Sequence, residues 1–155
     1  MSRFDRLLLD SDEAFANGAS TFLDAFPGVR DPQPRIYVKF RPEGVEPTIV
    51  FLALLDTGGH FCILNDLVAN LVEDRLGERI DEVSLQTARG LVRGDLYRHR
   101  IVLIAEKGES LTVDSNVLVL KDWTAPCFIG YSGFLDRLSF AVDAPRNRFY
   151  FGTDF

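Results

Sequence analysis

The chain has 155 residues and a mass of 17.4 kDa, which fits one domain and is long enough to bury a sizeable core. Apolar residues make up 46% and charged residues 26%, which is typical of a folded globular protein and excludes a disordered one. Lys and Arg total 17 against 23 Asp and Glu, a net charge of −6. Nucleic acid is therefore not expected as a partner, because binding phosphates needs a basic face.

Metal, cofactor and membrane sites are also not expected. Two cysteines and two histidines are too few for a disulfide framework or a His-rich zinc site. The longest apolar run, residues 49–55, is far shorter than the roughly 20 residues that span a bilayer. The first residues lack the pattern of a signal peptide. These features predict a cytoplasmic protein that uses no metal and no cofactor and does not enter a membrane.

Residues 1–34 differ in pattern from the rest and are predicted to form an N-terminal extension. Five apolar residues in it fall at helical spacing and predict a helix that Pro27-Gly28 would end: Phe15, Ala19, Phe22, Leu23 and Phe26. Residues 30–34 have the composition of a linker. The main domain is accordingly predicted to cover residues 35–155.

From residue 35 onward the pattern is that of a β protein. Asn65 can cap a short helix that ends at Gly77, and a second short helix is expected near residues 133–138. The unbroken apolar character of 48–55 predicts a strand buried on both faces. Turn residues separate the predicted strands, which cover residues 36–40, 48–55, 61–64, 83–87, 96–105, 110–120, 127–130, 139–142 and 148–152.

A rough internal repeat runs through these strands. Twice an apolar strand leads into a glycine-bearing turn and then a helix, first at Asp56-Thr57-Gly58 and later at Ile129-Gly130. Two similar halves within one β domain predict an internal pseudo-two-fold axis.

The most informative single residue is an acid that directly follows an apolar strand. Asp56 comes directly after the apolar run 49–55, and an ionised carboxylate is costly to bury unless it accepts hydrogen bonds. Gly58 and Gly59 allow backbone amides to approach it. An Asp that merely opens a surface turn has the same local pattern, so the tripeptide alone leaves both interpretations open.

The wider context resembles the retropepsin-like aspartic peptidases. Leu54-Leu55-Asp56-Thr57-Gly58-Gly59 is similar to the active-site turn of that family. Residues 87–94 resemble its glycine-containing flap, Cys127-Phe128-Ile129-Gly130 its second glycine element, and residues 140–152 its final hairpin. The resemblance covers residues 35–152 and implies an all-β fold, a retropepsin-like acid protease barrel with one or two short helices.

The resemblance also implies an activity. A lobe of this type supplies one catalytic carboxylate, here Asp56, so a homodimer is implied in which two Asp56 side chains activate one water to hydrolyse a peptide or protein substrate. Thr57, Gly58 and Gly59 would support the active-site turn, and Ile129 and Gly130 would form the matching turn of the second half. The flap residues that would contact substrate are Ala88, Arg89, Gly90 and Leu91.

Three positions depart from the family pattern. Gly59 stands where the family usually has Ala or Ser, and His60 and Tyr131 stand where retroviral members have an Asp–Arg pair. A cellular type of member is therefore expected rather than a retroviral one. The apolar C-terminal strand at 149–151 would be an aggregation-prone edge if unpaired, so it is expected to pair across the dimer interface.

Two other functions stay open at this stage. The same fold can serve as a non-catalytic module that binds a peptide or protein, or as a dimerisation domain in which Asp56 is a turn residue. Other candidate residues have simpler structural explanations. Ser132 is expected to cap a helix, Cys62 and Cys127 to fill the core, His60 to lie partly exposed in a turn, and Arg89 and Arg93 to be solvated hairpin charges.

Overall fold

The architecture is taken from a computed structural model that describes residues 16–28, 35–88, 90–120 and 122–153. Within those ranges the chain forms eleven strands, one α-helix and three short 3₁₀ turns. The strands are β1 Gly18–Thr21, β2 Tyr37–Pro42, β3 Phe51–Asp56, β4 Cys62–Leu64, β5 Arg79–Thr87, β6 Gly90–Leu103, β7 Lys107–Gly108, β8 Leu111–Leu120, β9 Cys127–Gly130, β10 Ser139–Asp143 and β11 Arg148–Gly152. Helix α1 spans Asp66–Val72, and the 3₁₀ turns span Glu73–Arg75, Leu135–Arg137 and Ala144–Arg146.

Seven strands form the larger sheet, in the order β2-β3-β9-β4-β8-β6-β5. Strand β2 also pairs with β6, which closes the sheet into a barrel. The main core fills this barrel and is built from apolar side chains that are fully buried, among them Phe40, Ile101, Leu103, Val117 and Phe134. The strand-rich prediction for residues after 35 is confirmed, and so is the all-β class.

The strand before Asp56 is shorter than its apolar run predicted. Strand β3 begins at Phe51, and Val50 before it is 49% exposed. The Glu46 side chain accepts hydrogen bonds from the Thr48 amide and hydroxyl, while its carbonyl accepts one from the Ile49 amide. These bonds hold Thr48 and Ile49 in a turn. The strand is therefore shorter than the prediction from hydrophobic composition alone.

The second sheet has the order β10-β11-β1-β7 and includes part of the predicted N-terminal extension. The helix predicted there is wrong for the described residues, because Gly18–Thr21 is a strand that pairs with β11 and β7. Gly18 lies so close to the Glu109 carbonyl that a Cβ would overlap it. Phe22 packs into the main core, and Ala19 packs against Tyr150 of β11. The apolar residues whose spacing predicts a helix are therefore buried by contacts of a strand. Phe15, with the rest of residues 1–15 and with 29–34, lies outside the described residues.

The C-terminal strand is not an edge. Strand β11 lies between β10 and β1, and Phe149 and Phe151 are buried. Both sides of its backbone are therefore paired within one chain. The expectation that this strand pairs across a dimer interface is wrong for this reason.

The helix and turn predictions are confirmed in part. The Asn65 side chain caps α1 by accepting a 3.1 Å hydrogen bond from the Val68 amide. The second predicted helix is a single 3₁₀ turn at Leu135–Arg137, and Ser132 does not cap it. Gly133 instead donates its amide to the Asp136 carboxylate at 3.0 Å. No helix in the described parts of the chain has the length and apolar character needed to cross a membrane.

Candidate active site

The two glycine-bearing turns of the internal repeat meet at one end of a parallel strand pair. Strands β3 and β9 run side by side with Leu55 opposite Ile129 and Asp56 opposite Gly130. Because parallel strands end at the same edge of a sheet, Asp56 and Gly130 mark one shared edge. The two halves of the sequence repeat are therefore neighbours in the sheet. One half ends in the Asp56 carboxylate and the other in Gly130.

Asp56 lies half-buried at the start of an exposed turn. Its Oδ1 accepts a 3.1 Å hydrogen bond from the Gly58 amide, and its carbonyl oxygen accepts one of 3.1 Å from the Gly59 amide. Across the described residues, no Lys, Arg or His forms an ion pair with this carboxylate. One carboxylate oxygen is thus left for a further donor.

Gly59 packs closely against that carboxylate, and Gly130 packs closely against the backbone of Phe61. A Cβ on Gly59 would lie 2.9 Å from Asp56 Oδ2, and a Cβ on Gly130 would overlap the carbonyl of Phe61. The amide of Tyr131 donates a 2.8 Å hydrogen bond to the Gly59 carbonyl. The two turns are therefore joined through their backbones, a link that no side-chain motif in the sequence indicates.

The predicted flap is a long hairpin with a tighter tip than expected. Strands β5 and β6 pair from Arg79 with Tyr97 up to Thr87 with Gly90, and the Thr87 hydroxyl donates a 2.9 Å hydrogen bond to the Gly90 carbonyl. Ala88 and Leu91 are exposed, whereas Arg89 lies outside the described residues. Among the described residues, no hydrogen bond joins this tip to Asp56.

The predicted turn at 88–94 therefore extends too far. Gly94 lies inside β6, opposite Val83 on one side and Leu120 on the other. A Cβ there would overlap the carbonyl of Val119. This glycine permits close strand packing and is not part of a mobile loop.

No protein-family model and no curated protein matches this chain. Solved structures do match it. A retropepsin-like aspartic protease from Rickettsia conorii superposes with a TM-score of 0.52 at 14% identity, covering 85% of this chain and 97% of that one. The chain has a retropepsin-like fold. The retroviral protease-like domain of Ddi1 from Leishmania major matches with a TM-score of 0.49 at 17% identity, over 77% of this chain and 94% of that domain.

In this retropepsin-like fold a second, smaller apolar cluster lies between the flap hairpin and the strands that end at the site. Its buried members, Ile63, Leu96, Leu118 and Leu120, contact six partly buried side chains. Trp123 and Phe128 meet edge to face with ring centroids 5.9 Å apart. Phe128 is two residues before Gly130, so alternation along β9 puts both on one face of the strand. The partly buried members are Phe61, Val83, Leu85, Val92, Trp123 and Phe128.

The sequence did not single out those aromatic residues as neighbours of the site. Side chains alternate between the two faces of a strand, so the sequence of β9 could have indicated that Phe128 lies on the same face as Gly130. Nothing in the local sequence pointed to Trp123, which lies in a loop and donates its indole N–H to the Pro126 carbonyl at 3.2 Å.

The alternative nucleophiles have structural roles. Cys62 and Cys127 are buried in the main core, as expected. Burial raises the pKa of Cys62 to about 12 and that of Cys127 to about 11, so neither forms a thiolate near neutral pH. His60 is exposed, as expected. The described residues contain no group of three or more His, Cys, Asp or Glu that could hold a metal ion.

Two surface grooves lie away from Asp56. One, of about 490 Å³, is lined largely by arginines and acids, among them Arg98 and Arg100 of β6 and Asp114 of β8. The other, of about 520 Å³, lies between α1 and the β6–β8 face and includes Arg93 and Asp95. Asp56 lines neither groove.

Proposed function

We propose that the protein is an aspartic endopeptidase that acts as a homodimer, with one Asp56 contributed by each copy. The observation that carries the proposal is the pairing of Asp56 with Gly130 at the shared edge of β3 and β9. One chain offers one carboxylate there and a glycine at the equivalent position of its second half. A site with two carboxylates therefore needs a second chain.

The chemistry then follows from two carboxylates close to one water. Two like charges about 3 Å apart cannot both be ionised, so the pair shares one proton. The ionised Asp56 accepts a proton from the water as the water oxygen attacks the peptide carbonyl carbon. The protonated Asp56 of the other copy donates its proton to the carbonyl oxygen, which gives a neutral tetrahedral diol. Breakdown of that diol, with proton transfer to the leaving nitrogen, yields an acid and an amine.

The surroundings of Asp56 suit this role. The carboxylate has no cationic partner among the described residues, and an amide of the same turn holds it at 3.1 Å. Thr57 and Gly58 are exposed beside it and are free to meet the equivalent turn of another copy. We assign Thr57 to bracing the two turns and Gly58 to leaving space beside the substrate backbone.

The flap hairpin is assigned to covering the substrate. Leu91 is 60% exposed at its tip, so its side chain is available to contact a bound peptide. Ala88 and Gly90 offer backbone groups that can bond an extended peptide. Arg89 lies outside the described residues, and its role in binding substrate stays a prediction from the sequence. Closure of such a hairpin would exclude water from the reaction.

Replacing Asp56 by Asn tests the proposal. Asp56→Asn keeps the shape and removes the shared proton, so cleavage of a peptide library should fall to background while the folded dimer persists. Asp74→Asn, on an exposed carboxylate in the 3₁₀ turn after α1, is the control and should cleave normally. Cleavage that survives Asp56→Asn overturns the mechanism.

The non-catalytic binding module is the alternative. It is favoured by the ordinary turn hydrogen bond that Asp56 accepts from Gly58, since such a bond needs no catalytic role. If the wild-type protein binds peptides from the library without cleaving them, and Asp56→Asn binds them equally well, the binding module is the better description.

A further inference from the structure

The first groove described above gathers positive charge on an acidic chain. The described residues that line it include four of the 17 Lys and Arg and three of the 23 Asp and Glu, although the whole chain carries a net charge of −6. A concave surface that concentrates one sign of charge attracts ligands of the opposite sign. We call this surface the arginine groove, after its arginines Arg75, Arg98, Arg100 and Arg137.

Close backbone contacts fix the walls of the groove. Strand β6 supplies two of the arginines, and two 3₁₀ turns supply Arg75 and Arg137 as their last residues. Just after the first of these turns, Gly77 lies so close to β6 that a Cβ on it would overlap the Arg98 carbonyl. The Arg98 amide also donates a 2.8 Å hydrogen bond to the Glu78 carbonyl. The groove is therefore bounded by elements that are packed against one another.

One arginine of the groove is neutralised by two of its acids. Arg100 donates its Nε–H to Asp114 Oδ1 at 2.9 Å, and its Nη1 lies 3.7 Å from Glu43 Oε2. The Glu43 carbonyl accepts a further hydrogen bond from His99 Nε2 at 2.7 Å. These contacts commit two of the three carboxylates to a single guanidinium, so they do not compensate the other arginines.

The other three arginines have no carboxylate partner within the described ranges. Arg75 and Arg137 each donate one Nη1 hydrogen bond to a backbone carbonyl oxygen, which leaves the rest of each guanidinium to bind elsewhere. The Arg98 side chain is exposed and forms no hydrogen bond with any described residue. Glu78 is the one acid of the described lining without an ion pair. Uncompensated positive charge therefore exceeds uncompensated negative charge in the groove.

We propose that the arginine groove binds a small anion that carries a phosphate group. A guanidinium presents a planar fork of N–H donors that matches phosphate oxygens in bidentate contacts. A phosphate monoester carries about −1.5 to −2 charges near pH 7 and has three acceptor oxygens, so it has enough charge and acceptors for several guanidinium groups. A carboxylate offers only one charge and two oxygens. The proposal goes beyond the proposed function and does not rest on it, because Asp56 does not line the groove.

The lining of the groove favours a ligand that is polar throughout. Among the described residues that line it, none has an apolar side chain, and the one ring belongs to His99. A nucleobase binds by stacking on aromatic side chains, and a protein partner binds chiefly through apolar or aromatic anchors. The volume of about 490 Å³ lies within the range of small-molecule sites. Inorganic phosphate and a short polar phosphate ester fit this description.

Titration calorimetry with inorganic phosphate and with glycerol phosphate tests the site. In about 0.15 M NaCl, where diffuse surface attraction is screened, both should bind one to one with a dissociation constant of about 1 mM or below. Arg98→Gln should weaken both at least about tenfold, because a hydrogen-bonded charge is lost. Its urea denaturation should match that of wild type, since the Arg98 side chain bonds no other described residue.

Arg93→Gln is the matched control. Arg93 is exposed on the same strand, β6, but lines the other groove, so this variant changes the net charge equally and should bind phosphate like wild type. Absence of saturable binding at millimolar phosphate overturns the proposal. Equal weakening by Arg98→Gln and Arg93→Gln also overturns it, because the attraction would then come from the overall charge and not from the groove.

Glu78→Gln gives a change in the opposite direction. It removes the acid of the groove that has no ion pair, so repulsion of the ligand falls and inorganic phosphate should bind about twofold more tightly or better. The double variant with Arg98→Gln should again bind weakly. Weaker binding of phosphate by Glu78→Gln alone would overturn the placement of the anion in this groove.

A comparison of two phosphoserine ligands identifies the source of the phosphate group. Capped phosphoserine and a short glycine-flanked phosphoserine peptide should bind with similar affinity, because the described lining offers no apolar contact to the flanking chain. Similar affinities, lost together in Arg98→Gln, support a small phosphorylated ligand. A peptide that binds more than about tenfold more tightly than the capped residue would assign the groove to a phosphorylated polypeptide and overturn the proposal of a small ligand.

Discussion

The backbone amide of Tyr131 donates a 2.8 Å hydrogen bond to the carbonyl oxygen of Gly59. These two residues lie in the two turns at the ends of β9 and β3, and the bond joins the turns without using a side chain. Because the bond uses only main-chain atoms, it does not depend on the side chain at position 131.

Gly130 is predicted to be essential for this arrangement. Gly130→Ala would push a methyl group into the Phe61 carbonyl, which belongs to the backbone and cannot rotate away. Overpacking of this type costs about 1–3 kcal/mol, so the midpoint of urea denaturation should fall clearly. Movement of the end of β9 away from Phe61 would also displace Asp56, which pairs with Gly130, and any peptide cleavage should fall with it.

Gly58→Ala is the matched control for that prediction. A Cβ on Gly58 would lie 3.6 Å from Asp56 Oδ1, an ordinary van der Waals distance. The variant should therefore unfold at the same urea concentration as wild type. Equal destabilisation by the two substitutions would contradict the steric explanation for Gly130.

The sequence predicted the relation between the two turns better than it predicted the smaller sheet. Asp56 and Ile129-Gly130 follow apolar strands, and that local pattern was enough to place them as related turns. Strand β1 pairs Gly18 with Phe151, and contacts between residues so far apart leave no periodic signal in either segment. The spacing of Ala19, Phe22 and Leu23 fits a helix as well as it fits a strand with mixed partners, so only the tertiary pairing decided between them.

The flap shows the same limit on a smaller scale. Gly90 and Gly94 look alike in the sequence, and both were predicted to lie in a turn. Gly90 has φ of +106°, and a Cβ added to it would meet no other atom within 4 Å. This glycine is therefore needed for its backbone conformation in the turn. Gly94 sits between two paired strands. Local composition cannot distinguish a glycine chosen for its dihedral angles from one chosen for close packing.

Glu106 accepts hydrogen bonds from Ser20 and Thr21 of β1, and we predict that its contribution to the free energy of unfolding depends on pH. Burial alone would raise the pKa of this carboxyl group, but hydrogen bonds from Lys39, Thr21 and Ser20, with the charge of Lys39, outweigh it and lower the pKa from 4.5 to about 2. The folded state therefore binds this proton less readily than the unfolded state. The stabilisation is fully present above pH 4.5 and is lost as the pH falls towards 2.

Glu106→Gln should reveal this contribution. Because the group is partly exposed and screened, the loss in unfolding free energy at pH 7 should be about 1 kcal/mol. The difference from wild type should shrink between pH 4.5 and pH 2, measured by urea denaturation at several pH values. Glu109→Gln, an exposed neighbour, serves as the control. A difference that grows as the pH falls would contradict the assignment.

The flap tip is predicted to exchange its amide hydrogens faster than the strands below it. Ala88 and Gly90 lie at the turn, whereas Gly94 is flanked by β5 and β8. Exchange should therefore be rapid at 88–91 and slow from Gly94 onward, and addition of a bound peptide should slow the tip. Rapid exchange at Gly94 in the free protein would show that β6 opens as a whole. Slow exchange throughout would remove the basis for a mobile cover.

Thr57 is predicted to matter only when two copies meet. Its side chain is exposed beside Asp56, and none of the hydrogen bonds among the described residues uses its hydroxyl. Thr57→Val keeps the shape and removes that hydroxyl. At concentrations where the protein is monomeric, its unfolding free energy should stay within about 0.5 kcal/mol of wild type.

At higher concentration the same variant should behave differently from wild type. If Thr57 bonds the equivalent turn of the other copy, loss of two symmetry-related bonds should weaken the dimer about tenfold, since each is worth about 0.5–1.5 kcal/mol. Thr57→Ser retains the hydroxyl and should restore most of the association. Sedimentation equilibrium on the three proteins measures the effect. A Thr57→Val dimer as tight as wild type, with Asp56→Asn inactive, would assign the bracing of the two turns to other residues and leave the catalytic proposal in place.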